Sequence, residues 1–317
     1  MNRSSIIAIA ILAFAAVLPL FGKSYIAFVL GSAALYFIVA VSLNVLVGLS
    51  GQVSIGHAAF WALGAYGSAL VVTKLGLPFW IGIAAGTLIS TIFGIAVAIP
   101  ALRIQGHYLA IATLAFALFI EKVLHEWEGL TGGRAGIFVP RPSLFGYQLS
   151  SDRDYYWLLL IVCALVAFIA SNLQRSQTGR ALQALRMSPT AAQSCGIDRR
   201  RAMIVVFGIS AALCGLSGAL YAHFIGYLSA STFSLETSLS FITMVVIGGT
   251  GSIAGALMAG LFLAIAPEVL RGFGTLQMVI YGVLLLLCVI FLPRGLASLP
   301  SVIRARLRSK QLNKAVR

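Results

Sequence analysis

Residues 25–48 read YIAFVLGSAALYFIVAVSLNVLVG, a run without lysine, arginine, aspartate or glutamate. A helix of about 20 apolar residues crosses the hydrocarbon core of a bilayer, so this stretch is long enough to span it. Of the 317 residues, 60% are hydrophobic and 9% are charged, whereas soluble domains carry roughly 25% charged residues. A charge at the bilayer centre costs at least about 2.5–3.5 kcal/mol. The sequence therefore predicts an all-α polytopic membrane protein.

Other apolar segments flank this run on both sides. The segment nearest the N-terminus has the form of a signal peptide, but apolar segments follow it directly, so we interpret it as an uncleaved first span. The eighth segment is short and runs into Gly248-Gly249-Thr250-Gly251, which favours a half-helix. We expect eight to ten transmembrane or half-membrane helices in one domain over residues 1–295, at approximately 4–22, 25–48, 54–73, 78–101, 105–127, 155–174, 201–226, 237–249, 252–271 and 276–293.

Lysine and arginine residues are distributed unequally between the two ends of these segments. With the N-terminus inside, 15 of the 22 basic residues fall on the inner side, including those of a basic tail at 296–317. Cytoplasmic loops carry an excess of basic residues. Both termini are therefore predicted to be cytoplasmic, and the net charge of +14 indicates topology rather than nucleic-acid binding.

Two segments are predicted to lie outside the membrane. Residues 128–154 form an external loop, and residues 175–200 form the long cytoplasmic one. In the second, Thr178-Gly179 is a candidate N-cap and Ser188-Pro189 starts a second helix, which Gly196 ends. The two short helices are either a basic surface element held at anionic headgroups or a contact for a partner.

The sequence lacks the motifs that several kinds of chemistry require. The phosphate loop GxxxxGK[ST] is absent, so the chain is not expected to hydrolyse ATP, and the cysteines have no metal-binding spacing. Gly-Leu-Ser-Gly at 48–51 and at 215–218 matches the GxSG motif of intramembrane serine proteases, with His57 or His223 as a candidate base. An ion-coupled carrier remains a third possibility, but it needs buried acidic residues, and these acidic residues fall near predicted membrane boundaries or in loops.

Five motifs occur in an order that resembles one transporter family. The first, LNVLVGLSGQVSIGHAAF at 43–60 followed by Gly64-Ala65-Tyr66, resembles the signature of permeases in branched-chain amino-acid ABC transporters. In two later motifs Gly132 replaces the usual asparagine and Ala256 replaces a proline. The remaining motifs are LAIATLA at 109–115, GLTGGRAG at 129–136, TGRALQALR at 178–186 with Ala191-Ala192 and Gly196-Ile197, and GGTGSIAG at 248–255.

The resemblance implies a membrane permease of the M type in the bacterial inner membrane, with no cofactor or metal of its own. Its partners would be a related H-type permease, two ATP-binding subunits and a periplasmic or lipid-anchored binding protein. Related permeases carry urea or short amides, so that cargo stays an alternative. Coupling to the ATP-binding subunits would involve Gly179, Arg180, Ala181, Ala184, Leu185, Arg186, Ala192 and Gly196. The translocation pathway would involve Asn44, Gly48, Gly51, Gly56, His57, Phe60, Gly64, Gly248, Gly249, Gly251 and Gly255.

Overall fold

The protein is described by a computed structural model that covers residues 24–102, 104, 106–144, 147–148, 151–291 and 295. Helices dominate this part of the chain, as the composition predicts. They are α1 (Ser24–Leu43), α2 (His57–Lys74), α3 (Phe79–Ala101), α4 (His107–Glu126), α5 (Glu128–Thr131), α6 (Asp152–Arg175), α7 (Gln177–Met187), α8 (Pro189–Ser194), α9 (Arg199–Ile225), α10 (Leu235–Gly248), α11 (Ile253–Leu270) and α12 (Gln277–Phe291).

Among the described residues, six helices are long and apolar enough to cross a membrane. They confirm six of the predicted segments, and α10 is a half-length helix of 14 residues, as its glycine-rich end indicated. Helix α2 has 18 residues but falls outside the six, because it carries polar and glycine residues on its buried surfaces. The first predicted segment, 4–22, and the tail at 296–317 lie outside the described residues. The count of eight to ten therefore stays a prediction.

Helices α2, α3 and α9 form the centre of the fold, where their backbones touch. A methyl group built on Gly64 of α2 would overlap the backbone of Gly215 in α9, and one on Gly86 of α3 would overlap the Gly64 carbonyl oxygen. On α9, a methyl at Gly218 would overlap the carbonyl oxygen of Trp61. Small residues allow membrane helices to approach this closely. We call these four glycines the glycine core.

Connections between the helices collect at two opposite ends. At one, the strand end, β1 (Ile137–Phe138) pairs antiparallel with β4 (Tyr227–Leu228), and Lys74 Nζ donates to the Gly129 carbonyl. The described part of the predicted external loop contains α5, β1 and a small hairpin of β2 (Ser143–Leu144) and β3 (Tyr147–Gln148). The opposite end, the α7 end, holds α7, α8 and the turn between α10 and α11.

Candidate functional site

The chain leaves α1 through a π-helical segment, Asn44–Leu49, at the α7 end. Its last carbonyl groups accept hydrogen bonds from side chains as well as from backbone amides. Ser50 Oγ donates to Leu46 O at 2.6 Å, the Gly51 amide donates to Val47 O at 3.1 Å, and an Arg186 guanidinium N–H donates to Gly48 O. A cation at a helix C-terminus is favourable because the carbonyl ends carry partial negative charge. The end of this span is thus completed by a side chain from α7.

Asn44 connects the same segment to the turn between α10 and α11. Its Nδ2 donates to the Ser252 carbonyl at 2.9 Å, and its Oδ1 accepts from the Gly251 amide at 2.5 Å. Asn44 is 5% exposed, so both hydrogen bonds are shielded from water. An unpaired polar group at such a buried position costs about 1–3 kcal/mol. A methyl group on Gly48 would meet the Gly251 amide nitrogen at 2.7 Å. The two glycine-rich stretches predicted for the pathway therefore meet.

We call Asn44, Gly48, Gly51, Arg186 and Gly251 the inner joint. Gly51 adopts a left-handed φ of +71°, and the aliphatic part of Arg186 packs over it. Gln174, near the end of α6, reaches the Gly251 carbonyl at 3.4 Å. The inner joint thus connects backbone from two sequence regions through the side chains of Asn44 and Arg186. Gln174 and Ser252 were missed from the sequence; Ser252 directly follows the glycine motif, whereas nothing around Gln174 marks it.

Helices α7 and α8 fold as predicted, with one boundary corrected. The N-cap of α7 is Ser176, whose Oγ accepts from the Gly179 amide at 3.1 Å, and not Thr178. The α8 prediction is confirmed, because Ser188 Oγ accepts from the Ala191 amide at 3.3 Å and Gly196 follows with φ +82°.

The two faces of the α7–α8 pair differ in burial. Gly179, Leu182, Leu185 and Ala192 are buried against the rest of the chain, whereas Ala181 and Ala184 are partly buried. A methyl at Gly179 would overlap the carbonyl of Leu173 in α6, so glycine permits the sharp turn between the two helices. The outward face carries Arg180 and the side chain of Met187, which is 88% exposed.

Four of the predicted pathway residues lie apart from the inner joint, inside packed contacts. Gly56 lies against the carbonyl of Thr113, Gly64 belongs to the glycine core, and Phe60 is 1% exposed. His57 Nε2 lies 2.9 Å from Ser210 Oγ, which donates to Ser42 O. This histidine joins α2 to α9 and α1, as expected for a packing residue. The remaining predicted pathway residues, Gly248, Gly249 and Gly255, surround the α10–α11 turn.

The protease arrangement is not formed. Ser50 Oγ donates to Leu46 O, and Ser217 Oγ donates to Leu35 O at 2.9 Å and accepts from Trp61. His223 Nε2 lies instead 2.9 Å from Ser68 Oγ. Neither motif serine is bonded to a histidine, so neither has a base to remove its proton.

Buried acidic groups and metal-binding clusters are also absent from the part of the chain that the structure describes. None of its aspartates or glutamates is buried, which removes the ligands that an ion-coupled carrier would need. Among these residues no group of three or more His, Cys, Asp and Glu side chains could hold a metal ion. Polar contacts at the α7 end are made instead by backbone groups with Asn44 and Arg186.

This fold and site define a multi-pass membrane protein whose helices surround a glycine-packed centre and whose short helices project at one end. The chain belongs to the family described as branched-chain amino acid transport system / permease component, whose model matches residues 25–289. No solved structure matches the chain.

Curated relatives extend over most of the chain. It is 35% identical over 286 residues to the high-affinity branched-chain amino acid transport system permease protein LivM of Escherichia coli, covering 83% of this chain and 67% of that protein. It is 26% identical to the corresponding protein LivH of Escherichia coli, covering 84% of this chain and 92% of LivH. Identity to BraD of Pseudomonas aeruginosa is 24%, with coverage of 84% and 92%.

Proposed function

We propose that this chain is the membrane-spanning permease subunit of an ATP-driven importer for branched-chain amino acids, without a bound cofactor of its own. The observation that carries the proposal is the α7–α8 pair at the end of the permease fold. Its inner face packs on the chain through Leu182 and Leu185, and its outer face presents arginine and an exposed methionine. A solvated face of this kind suits docking to an acidic groove on an ATP-binding subunit.

The cargo follows from the relatives. The curated permeases are named for branched-chain amino-acid transport, and both LivM-type and LivH-type proteins match this chain. We infer a heterodimer with a related permease, two ATP-binding subunits beneath it, and a soluble or lipid-anchored binding protein that delivers the amino acid on the other side. The translocation pathway would run between the two permeases and close near the inner joint.

We infer that the α7 end faces the cytoplasm and that the protein lies in the inner membrane. Arg175, Arg180, Arg186 and the arginines at 199–201 all lie at the α7 end. Basic residues near membrane ends favour the cytoplasmic side. ATP-binding subunits then meet α7 and α8 where ATP is available.

Reconstitution tests the proposed function. Proteoliposomes that contain both permeases and the ATP-binding subunits should accumulate leucine, isoleucine or valine only when the binding protein and ATP are both present. Omission of either ATP or the binding protein should reduce uptake to background. Leucine uptake without ATP, or uptake of acetamide but not of any branched-chain amino acid, would contradict the proposal.

Native Cys195 tests the orientation, because it is exposed at the α7 end. A membrane-impermeant maleimide should label Cys195 in inside-out vesicles but not in intact spheroplasts, in cells that lack the ATP-binding subunits. Replacing it in a Cys195→Ser variant should remove the signal. A cysteine at Ala135, exposed at the strand end, should show the opposite pattern in that background. Labelling of Cys195 from outside would invert the topology.

A further inference from the structure

We propose that Asn44 is a positioning residue for transport: with Arg186, it links the ATPase-facing helix α7 to the turn between α10 and α11, so that movement of α7 displaces that turn. The inference rests on the proposed function and adds the route by which the α7 end acts on the membrane part of the chain.

The first step of the route is the contact between α7 and α1. Arg186 lies on the last turn of α7, and its guanidinium donates to the Gly48 carbonyl in the π-helical segment. Its aliphatic carbons lie over Gly51, where a methyl group would come 2.9 Å from Cγ. A charged donor on a carbonyl makes a stronger bond than a neutral one. Displacement of α7 must therefore carry the Gly48 peptide with it or break this bond.

The second step is the Asn44 carboxamide, one turn before Gly48 in the same segment. It bonds a backbone N–H and a backbone C=O of the α10–α11 turn at the same time, at 2.5 Å and 2.9 Å. Among side chains of this size only an amide offers both a donor and an acceptor in one plane. The bonds join residues 207 and 208 positions apart. The π-helical segment and the turn are thus held as one piece.

The third step is the non-helical backbone of the two connected segments. Residues 51–56 leave the helix pattern directly after the π-helical segment. In the turn, Gly249 and Gly251 have φ of +93° and +87°, and a methyl on Gly251 would meet no described atom within 4 Å. Hinges are commonly a few residues at the ends of elements that absorb changes in φ and ψ. The inner joint is therefore bordered by such positions on both sides, in contrast to the continuous helices around it.

The test compares Asn44→Leu with Ser217→Ala in the complete, reconstituted transporter. Leucine fills the space of asparagine but makes neither bond. Ser217 is a matched control, because it is also buried and makes two hydrogen bonds between helices, at 2.9 Å and 3.3 Å, but lies away from the inner joint. We expect Asn44→Leu to lower uptake per assembled complex about tenfold, within the usual span of coupling effects, while ATP hydrolysis changes less than about twofold. Ser217→Ala should retain both activities.

A second variant, Arg186→Met, tests the same link in case Asn44→Leu does not fold. It keeps the aliphatic packing over Gly51 and removes the positive charge and the donor to Gly48, on a surface helix. Arg186→Met should show the same loss of uptake with hydrolysis retained. A cysteine at exposed Thr250 supplies a direct readout: its labelling rate should differ between the nucleotide-free and ATP-bound complexes, and either variant should abolish that difference.

Equal uptake in wild type, Asn44→Leu and Arg186→Met would overturn the inference and leave the proposed function intact. Parallel loss of uptake and hydrolysis in both variants, with normal assembly, would also overturn it, because a link that only transmits movement leaves the ATPase running. An absence of ATP-dependent uptake by the wild-type complex would instead refute the proposed function itself.

Discussion

The glycine core and the inner joint are both built around glycines, but the glycines act differently. In the glycine core, helix backbones touch directly, and a methyl group on Gly64, Gly86 or Gly218 would overlap a neighbouring backbone atom. In the inner joint the backbones of Gly48 and Gly251 also approach closely, but two side chains, Asn44 and Arg186, connect the segments by hydrogen bonds. Direct backbone contact fixes helix positions, whereas side-chain bonds across non-helical backbone can exchange partners. The comparison teaches that glycines serve direct helix packing in one region of this fold and a contact bridged by side chains in the other.

The largest expected effect is a difference in the yield of folded protein between two glycine-to-alanine substitutions on α9. Gly218→Ala places a methyl on the Trp61 carbonyl, whereas at Gly208 the nearest atom is Ile95 Cγ1 at 3.3 Å. Overpacking costs about 1–3 kcal/mol or more, and helix backbone does not move aside as a side chain does. Gly218→Ala should lose most folded protein in detergent gel filtration. Gly208→Ala should match wild type or melt slightly higher; equal behaviour of the two would refute the packing argument.

The next effect concerns the exposed face of α7. Met187→Glu changes a side chain that is 88% exposed, so the permease itself should fold normally. An apolar residue at the centre of a protein contact contributes about 2 kcal/mol or more, so co-purification of the ATP-binding subunits should fall at least about tenfold. Met187→Leu serves as the control and should retain binding. Normal recovery of the ATP-binding subunits with Met187→Glu would place the docking surface elsewhere.

Two glycines with left-handed backbone allow a loss of stability from backbone strain to be separated from a loss of uptake. Gly51 and Gly76 have φ of +71° and +63°, so alanine at either site adds about 1–2 kcal/mol of backbone strain. The thermal stability of the two variants should fall by similar amounts. Only Gly51→Ala should also lower uptake several-fold per folded complex, because its methyl meets Arg186. A similar loss of uptake in Gly76→Ala would mean that strain alone explains the effect.

The smallest effect is expected at the cap of α8. Ser188→Ala removes the hydroxyl that accepts a hydrogen bond of 3.3 Å from the Ala191 amide. Loss of such a cap costs about 1 kcal/mol. Hydrogen exchange of the α8 amides should quicken by about fivefold, with little change in uptake. Ser188→Asp preserves an acceptor and should restore protection. Unchanged exchange in Ser188→Ala would show that α8 is held by its packing alone.

Sequence patterns predicted the regular parts of this fold more readily than the contacts between them. Apolar length predicted α1, α3 and α4, because a single helix in lipid must satisfy its own backbone. Cap residues predicted the start of α8. For α7 the sequence indicated Thr178, but the observed N-cap is Ser176, because serine and threonine occur close together at 176–178. The glycine motifs marked Asn44 and Gly251 separately. Their contact depends on how α1 meets α11, and no local pattern encodes the meeting of residues 207 positions apart.

Helix α2 has a consequence for how the chain enters the membrane. It combines His57, Ser68 and several glycines and is outside the six helices that are long and apolar enough to cross a membrane. Its partner α3 begins at Phe79, directly after it, whereas α9 begins only at Arg199. At about 5–20 residues per second, α9 follows about 6–25 s later. We expect α2 to pass through the translocon as a hairpin with α3, and its polar face to stay beside the insertion machinery until α9 has been synthesised.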